Sequence, residues 1–205
     1  MGMTSYNTII FDLGGVIIDL DKERCIEAFK GIGYMDVDLL LGNYKQDGEF
    51  LALEEGKLSA GEWRNFIRGK IGRDIADELI DNAFNAFLVD IPIVKLRMLR
   101  RLRDKYRIVM LSNTNPVMFE GRIRELFRCD GWEMEDYFDD IFVSYRMGMS
   151  KPSRGIFTEV ADRLGIMPEE AMFIDDSVKN IAMASDLGFN TMIVDPYTDF
   201  SDKLL

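Results

Sequence analysis

The stretch FDLGGVIIDLD, which runs from Phe11 to Asp21, decides the fold of this 205-residue chain. It continues an apolar run that starts after Asn7, stops at Asp12 and is followed within two residues by a pair of glycines. A short apolar run that ends in aspartate and glycine is typical of a buried β-strand leading into a turn at its C-terminal end. We therefore predict that the first strand of a sheet delivers a carboxylate to the edge of that sheet.

Further strands and helices alternate along the rest of the chain. The strands are predicted at the apolar runs Arg107–Leu111, Ile141–Ser144, Ala171–Ile174 and Thr191–Val194. The helices are predicted at Ile93–Tyr106, Pro152–Leu164 and Ser177–Leu187. This alternation predicts an α/β fold, a Rossmann-like doubly wound parallel sheet with helices on both faces.

One long segment, Lys22 to Asp90, breaks the alternation because it shows only helical periods. Within it, Ser59-Ala60-Gly61-Glu62 fits a capping box at the start of a helix. We expect a core made of residues 1–20 and 91–205, with residues 21–90 inserted after the first strand as a small helical bundle.

The inserted bundle is expected to hinge near Ile18–Asp21 and Val89–Pro92. Ligands of open α/β sheets bind at the carboxyl ends of the strands. An insertion that leaves from this edge lies over the binding site, so we expect it to form a cap that can act as a lid.

Composition removes several classes of function. The chain has 36 Asp and Glu, 25 Lys and Arg, no His and a formal net charge of −11. Without histidine there is no Ser-His-Asp or Cys-His hydrolase and no His-ligated zinc. The acidic balance argues against nucleic-acid and anionic-membrane partners, which require a large positive surface.

With only Cys25 and Cys129, no secretory signal and no long apolar span, we expect a cytoplasmic protein with reduced thiols.

Polar groups follow four of the predicted strands. They are Asp12, the run Ser112-Asn113-Thr114-Asn115, Lys151-Pro152 and the pair Asp175-Asp176. Each alone is more commonly a turn, a helix cap or a surface side chain. Because parallel strands end at the same edge of a sheet, we expect all four to converge on one site.

These segments resemble the four motifs of the haloacid dehalogenase (HAD) superfamily. The strings are FDLGGVIIDLD, LSNTN (Leu111–Asn115), KP (Lys151-Pro152) and FIDDS (Phe173–Ser177). The resemblance covers essentially the whole chain, with the helical insertion in the place of a type-1 cap. The nearest branch resembles the α-D-glucose-1-phosphate phosphatases. The resemblance implies Mg²⁺-dependent hydrolysis of a small phosphorylated metabolite, such as the sugar phosphate glucose 1-phosphate.

The resemblance also implies a nucleophile and a metal site. Asp12 becomes the nucleophile and carries an aspartyl-phosphate that water then hydrolyses. The protein ligands of Mg²⁺ are the Asp12 carboxylate, the carbonyl oxygen of Gly14 and Asp176, with Asp175 in or next to that set. Asn180 helps to orient these carboxylates.

A second group of residues is implied to hold the phosphate. The Ser112 hydroxyl and the amide of Asn113 bind its equatorial oxygens, and Lys151 balances the Asp12 carboxylate and binds phosphate as a compact charge. With three carboxylates in one pocket of an acidic protein, the metal and Lys151 are required to make the local field attractive to phosphate.

Gly14 departs from the family pattern. Most phosphatases of the superfamily carry an aspartate two residues after the nucleophile, which serves as general acid and base. Loss of a positioned acid lowers the rate by on the order of 10² to 10⁴. An anomeric hydroxyl is less basic than an ordinary alcohol, so a sugar 1-phosphate is a sensible substrate. A cap residue, a water or the substrate itself can also supply the proton.

Three alternatives remain open at this point. A 2-haloacid dehalogenase also lacks the second aspartate, although it has no use for an acidic pair that gathers charge for a metal. A signalling receiver domain uses similar groups, but its acidic pair comes first in the chain. A catalytically inactive HAD-fold binding protein also fits the absence of a side chain at Gly14.

Overall fold

The computed structural model describes residues 6–39, 41 and 47–205, and its centre is a five-stranded parallel sheet. The strands are β1 (Thr8–Phe11), β4 (Arg107–Ser112), β5 (Asp140–Val143), β6 (Ala171–Asp175) and β7 (Asn190–Ile193). Their order across the sheet is β5-β4-β1-β6-β7, and all four neighbouring pairs are parallel. The predicted fold class is thereby confirmed.

Strand β1 lies in the middle of the sheet, and both of its faces are buried. Ile9 and Phe11 pack on one face, whereas Ile10 packs on the other, since side chains alternate along a strand. A strand covered on both sides has to be apolar throughout, which explains the continuous run before Asp12.

Ten helices surround or extend the sheet in the described part of the chain. They are α1 (Lys22–Ile32), α2 (Gly48–Glu54), α3 (Ala60–Ile71), α4 (Asp77–Asn85), α5 (Ile93–Leu102), α6 (Pro116–Met118), α7 (Arg124–Phe127), α8 (Ser144–Met147), α9 (Arg154–Leu164) and α10 (Val178–Asp186). A π-helical turn, Phe119–Ile123, joins α6 to α7. None of these helices combines the length and apolarity needed to cross a bilayer.

Two helix boundaries differ from those predicted by more than one residue. Helix α9 begins at Arg154 with Ser153 as N-cap, so Pro152 lies in the preceding turn rather than in the first helical turn. Helix α5 ends at Leu102, and the segment up to Tyr106 forms a turn that leads into β4. Proline suits a first helical turn but is also common in the turn before a helix. At the end of α5 the helical apolar spacing continues into a turn, which the spacing alone cannot distinguish from helix.

The helices α1 to α4 form the bundle between the first strand and the rest of the sheet. Its centre is an aromatic cluster of Phe29, Phe50, Trp63 and Phe84, each at most 2 % exposed. The Trp63 and Phe84 rings stack at a centroid distance of 4.7 Å. The capping box predicted at the start of α3 is present, because the Ser59 backbone donates to Glu62 and the Glu62 backbone donates to Ser59 Oγ.

A two-stranded ribbon connects this bundle to the sheet, where the sequence predicted only helices and hinges. Strand β2 (Asp19–Leu20) pairs antiparallel with β3 (Leu88–Asp90). Elements of two and three residues are too short to show the alternation that identifies a strand. The ribbon is anchored by Lys95, a buried lysine whose Nζ lies 3.3 Å from Asp19 Oδ1.

The bundle also contacts the core directly beyond the ribbon. Ser150 Oγ donates to Glu55 Oε1 at 3.0 Å, which links the end of α2 to the loop before Lys151. Next to this contact, Gly56 has a φ of 67°, and a Cβ there would collide with the Tyr145 carbonyl oxygen. A glycine is therefore required for the bundle to approach the core this closely.

Candidate active site

Lys151 is the centre of the site at the carboxyl edge of the sheet. Its Nζ lies 2.8 Å from Asp12 Oδ1 and 2.8 Å from Asp175 Oδ2, and only 1 % of its side chain is exposed. Burial disfavours the charged lysine, but the two carboxylates outweigh that effect and raise the pKa of Lys151 above its usual value. The lysine therefore carries a full positive charge between two strand ends.

The backbone of Lys151 is held by the second predicted motif. Asn113 Oδ1 accepts from the Lys151 N–H at 2.8 Å, and Asn113 Nδ2 donates to the Lys151 carbonyl at 2.9 Å. Both polar ends of the Asn113 side chain are engaged in this clamp. Of the groups of Asn113 expected to bind phosphate, the side chain is therefore already bonded within the protein, and the main-chain N–H lies next to Ser112 at the end of β4.

Asp175 is fully buried and holds several donors at once. Besides Lys151, it accepts from the Ser177 N–H at 2.8 Å and from Asn180 Nδ2 at 3.0 and 3.1 Å. Asn180, at the start of α10, thereby orients the Asp175 carboxylate, and Asp175 in turn holds the Lys151 ammonium. Asp175 is the structural anchor of the lysine.

Asp176 completes an acidic cluster with Asp12 and Asp175, whose carboxylate oxygens lie within 4.8 Å of one another. Burial, partly offset by Lys151, raises the pKa of Asp12 to about 7, with Asp175 and Asp176 adding to the rise. Burial and then Asp175 raise the pKa of Asp176 to about 6. One lysine does not neutralise three carboxylates, so the cluster has an excess of negative charge.

The donor set fits a hard divalent cation. Carboxylate and carbonyl oxygens are the ligands that Mg²⁺ prefers, and the cluster offers several converging oxygens. Gly15, with a φ of 75°, lies against Asp176, and a Cβ at this position would fall on Asp176 Oδ2. The first turn after β1 is shaped to bring the backbone of residues 14 and 15 up to the carboxylates.

Two adjoining cavities open beside these groups. The acidic cavity is lined by Asp12, Gly14, Leu20, Glu54, Phe87, Asn113, Lys151, Asp176, Ser177 and Asn180. The apolar cavity is lined by Leu13, Gly14, Ile18, Leu20, Glu54, Phe84, Phe87, Leu88, Ser112, Asn113, Thr114, Asn115, Met118 and Ile123. The four predicted motifs therefore meet around one space, and the helical bundle forms its far wall.

Thr114 contributes a polar atom to the apolar cavity that sequence reasoning did not single out. The residue is 4 % exposed, and its Oγ1 has no hydrogen-bond partner among the described residues. Its backbone is fixed because Ser144 Oγ accepts from the Thr114 N–H at 3.0 Å and donates to the Thr114 carbonyl at 2.9 Å. A buried hydroxyl without a partner destabilises the protein, so a hydrogen bond from this atom to a polar ligand would be favourable.

Glu54 is the second residue that the sequence did not identify. It is the last residue of α2 and lines both cavities. Burial raises its pKa to about 8, with further contributions from Glu55 and Asp12. The sequence contains one weak indication of a special role. Glu54 and Glu55 lie at the C-terminal end of a helix, where negative charges interact unfavourably with the helix dipole.

Comparisons with known proteins agree on one family. The model of the family described as haloacid dehalogenase-like hydrolase matches residues 6–188. A D-ribitol-5-phosphate phosphatase from Bacteroides thetaiotaomicron is 36% identical over 196 residues, covering 96% of this chain and 95% of that protein.

Solved structures give the same result. A wild-type HAD family enzyme from Bacteroides thetaiotaomicron, in complex with magnesium and inorganic phosphate, has a TM-score of 0.93 and 40% identity, covering 98% of this chain and 100% of that one. Its Asp12Ala mutant, with the same two ligands, has a TM-score of 0.95 and 40% identity, with the same coverage. The similarity includes the helical bundle as well as the sheet.

Proposed function

The chain belongs to the haloacid dehalogenase-like hydrolases, and from this premise we propose that it hydrolyses a small phosphorylated sugar or sugar alcohol through an aspartyl-phosphate on Asp12. It is a phosphatase of that family, and Mg²⁺ is its cofactor. The observation that carries the proposal is Lys151, buried between Asp12 and Asp175 in a site with excess carboxylate.

In the first step, an Asp12 carboxylate oxygen attacks phosphorus, and the bond from phosphorus to the substrate oxygen breaks. Lys151 favours the ionised form of Asp12 despite its burial and offers its charge to the phosphoryl oxygens. Ser112 and the main-chain N–H of Asn113 hold equatorial oxygens. The departing oxygen takes up a proton and leaves as an alcohol.

In the second step, water attacks the phosphorus of the aspartyl-phosphate and gives up a proton. The bond from phosphorus to Asp12 breaks, so that inorganic phosphate leaves and the carboxylate is regenerated. Asp175 and Asn180 hold Lys151 in place through both steps.

The residues proposed to hold the metal are Asp12, Asp176 and the Gly14 carbonyl. Asp175 accepts from Lys151, Ser177 and Asn180, so we place it beside the metal ligands rather than among them. When bound, Mg²⁺ neutralises phosphoryl charge and orients the group for attack. Without such a charge, the excess of carboxylate repels phosphate.

Two substrate classes are each supported by a different observation. The relative named D-ribitol-5-phosphate phosphatase supports a sugar alcohol with a primary phosphate ester. Gly14 supports glucose 1-phosphate, whose leaving oxygen is less basic, because no acid projects from that position. A panel with Mg²⁺ that contains ribitol 5-phosphate, glucose 1-phosphate and glucose 6-phosphate tests the proposal. No turnover of any phosphate ester by folded protein overturns it in favour of an inactive binding protein.

Metal removal is expected to abolish hydrolysis, and the affinity for Mg²⁺ is expected to rise with pH. Asp12 and Asp176 have pKa values raised to about 7 and about 6. At a pH below these values protons compete with the cation for the carboxylates, and at a higher pH this competition disappears. We expect chelation to lower the rate at least about a hundredfold, with recovery on adding Mg²⁺. Titration calorimetry at a series of pH values measures the affinity. Full activity after verified removal of metal, or binding that weakens as the pH rises, contradicts the metal site.

Thr114→Val is expected to weaken the binding of a polyhydroxylated substrate. Thr114 lines the apolar cavity and its buried hydroxyl has no hydrogen-bond partner among the described residues, so we expect that hydroxyl to bond a substrate hydroxyl in the complex. Loss of one such bond raises the KM for ribitol 5-phosphate about five- to tenfold. Acetyl phosphate, which has no hydroxyl, serves as the comparison substrate, and Thr158→Val on the exposed side of α9 serves as the control variant. If the KM rises equally for both substrates, Thr114 instead maintains the shape of the loop and does not bind a substrate hydroxyl.

A further inference from the structure

The site lacks an acid where the family pattern places one, and the structure shows what occupies that space. The position of Gly14 is taken up by Leu20, since a Cβ on Gly14 would lie 2.9 Å from Leu20 Cδ1. The φ of Gly14 is not in the left-handed region, so the missing side chain is not explained by backbone conformation. Strand β2 thus presents an apolar methyl group there, which cannot donate a proton.

Glu54 brings a carboxyl group to this same space from the opposite side. It lines both cavities together with Gly14 and Leu20. Among the described residues that line the apolar cavity, it is the one ionisable side chain. In the acidic cavity the other ionisable groups are Asp12, Lys151 and Asp176, all of which belong to the nucleophile, charge and metal machinery.

The end of α2 is fixed to the core, which gives the backbone of Glu54 a defined place. Its neighbour Glu55 accepts from Ser150 Oγ at 3.0 Å, one residue before Lys151. Gly56 then packs directly against the Tyr145 backbone. Glu54 is thereby held at the contact between bundle and core, over the strand ends.

We propose that Glu54 is the general acid and base of the phosphatase, supplying from the helical bundle the proton transfer that Gly14 cannot. The inference rests on the proposed function, because it assigns a residue to the same reaction. Burial, Glu55 and Asp12 raise the pKa of Glu54 to about 8, which agrees with a carboxyl that keeps a proton near neutral pH.

The two steps then balance without another group. When Asp12 attacks phosphorus, the Glu54 carboxyl donates its proton to the departing substrate oxygen and becomes a carboxylate. When water attacks the aspartyl-phosphate, that carboxylate accepts the proton of the water. A residue that donates this proton allows an ordinary alcohol to leave. The absence of an acid at Gly14 is then no longer a reason to restrict the substrate to anomeric phosphates.

The test compares Glu54→Gln with wild type on two substrates that differ in their need for an acid. The first chemical step is measured in single turnover with enzyme in excess and saturating Mg²⁺, so that the later attack by water does not limit the rate. For ribitol 5-phosphate, whose leaving group is a basic alcohol, we expect the rate of Glu54→Gln to be lower than that of wild type by a factor on the order of 10² to 10⁴. For acetyl phosphate, whose leaving group is acetate, we expect a rate within a fewfold of wild type.

Glu49→Gln, on the same helix but outside both cavities, is the matched control and should behave as wild type. An equal loss on both substrates, or weaker Mg²⁺ binding by calorimetry, overturns the acid role in favour of an effect on the metal or on cap closure. An unchanged rate on ribitol 5-phosphate also overturns it. Failure of wild type on both substrates is a different result, because it rejects the proposed function itself.

Discussion

Asp12→Asn is expected to remove turnover while leaving the fold intact. The variant lacks the carboxylate that forms the aspartyl-phosphate, so the reaction loses its covalent route. We expect kcat to fall by on the order of 10⁴ or more, as happens when a nucleophile is deleted. Steady-state assays with ribitol 5-phosphate or another substrate found in the panel, together with circular dichroism, measure both effects.

The matched control is Asp162→Asn, which makes the same chemical change on the exposed face of α9. It should match wild type in rate and stability. The Asp12Ala mutant of the Bacteroides enzyme, solved with magnesium and phosphate, supports survival of the fold in such variants. Residual activity of the asparagine variant above a few per cent of wild type removes Asp12 as the nucleophile.

Lys151→Met is expected to lower both activity and stability. The lysine contacts Asp12 and Asp175 at 2.8 Å, and it is the one cation that lines the acidic cavity in the described structure. Its removal takes the cationic partner from Asp12 and from Asp175, and Asp175 keeps only its bonds from Ser177 and Asn180. Breaking a buried ion pair on one side typically destabilises a protein by about 3–5 kcal/mol. The rate is expected to fall by at least about 10³, because both the nucleophile and the phosphoryl group lose their charge partner.

The loss of stability in Lys151→Met should depend on pH in a defined direction. Asp12 has a pKa raised to about 7 even with the lysine present, and without it the charged carboxylate is less favourable still. In this variant the pKa of Asp12 is therefore higher in the folded state than in the unfolded state. The destabilisation is small in acid, where Asp12 is protonated in both states, and grows as the pH rises through and above 7. Metal-free thermal unfolding from acid to alkaline pH, with Lys179→Met at the exposed rim as control, checks this. A destabilisation that shrinks as the pH rises contradicts the ion-pair account.

The fold was largely predictable because the core strands carry their own signal. Strand β1, buried on both faces, has to be apolar up to Asp12, and the glycines after it mark the turn. Parallel strands then bring their carboxyl ends together, which places Asp12 beside Asp175 although they lie far apart in sequence. Lys151 reaches them from the loop after α8.

The missed features depend on contacts between elements rather than on local pattern. Glu54 reaches the site because α2 docks through Glu55 and Gly56, and helical periodicity does not encode where a helix ends in space. The space left by Gly14 is filled by Leu20, which belongs to a ribbon of two and three residues. The clamp of Asn113 on the Lys151 backbone likewise joins two loops, so neither sequence segment reveals it alone.

The central claim is that the phosphoryl group passes through Asp12. The most direct measurement is an acid quench of enzyme mixed with Mg²⁺ and a substrate carrying radioactive phosphorus, followed by peptide analysis. Wild type should retain label that hydroxylamine releases, on the peptide containing Asp12, and Asp12→Asn should retain none. Turnover by wild type with no label trapped at any quench time, together with an active asparagine variant, would contradict the account.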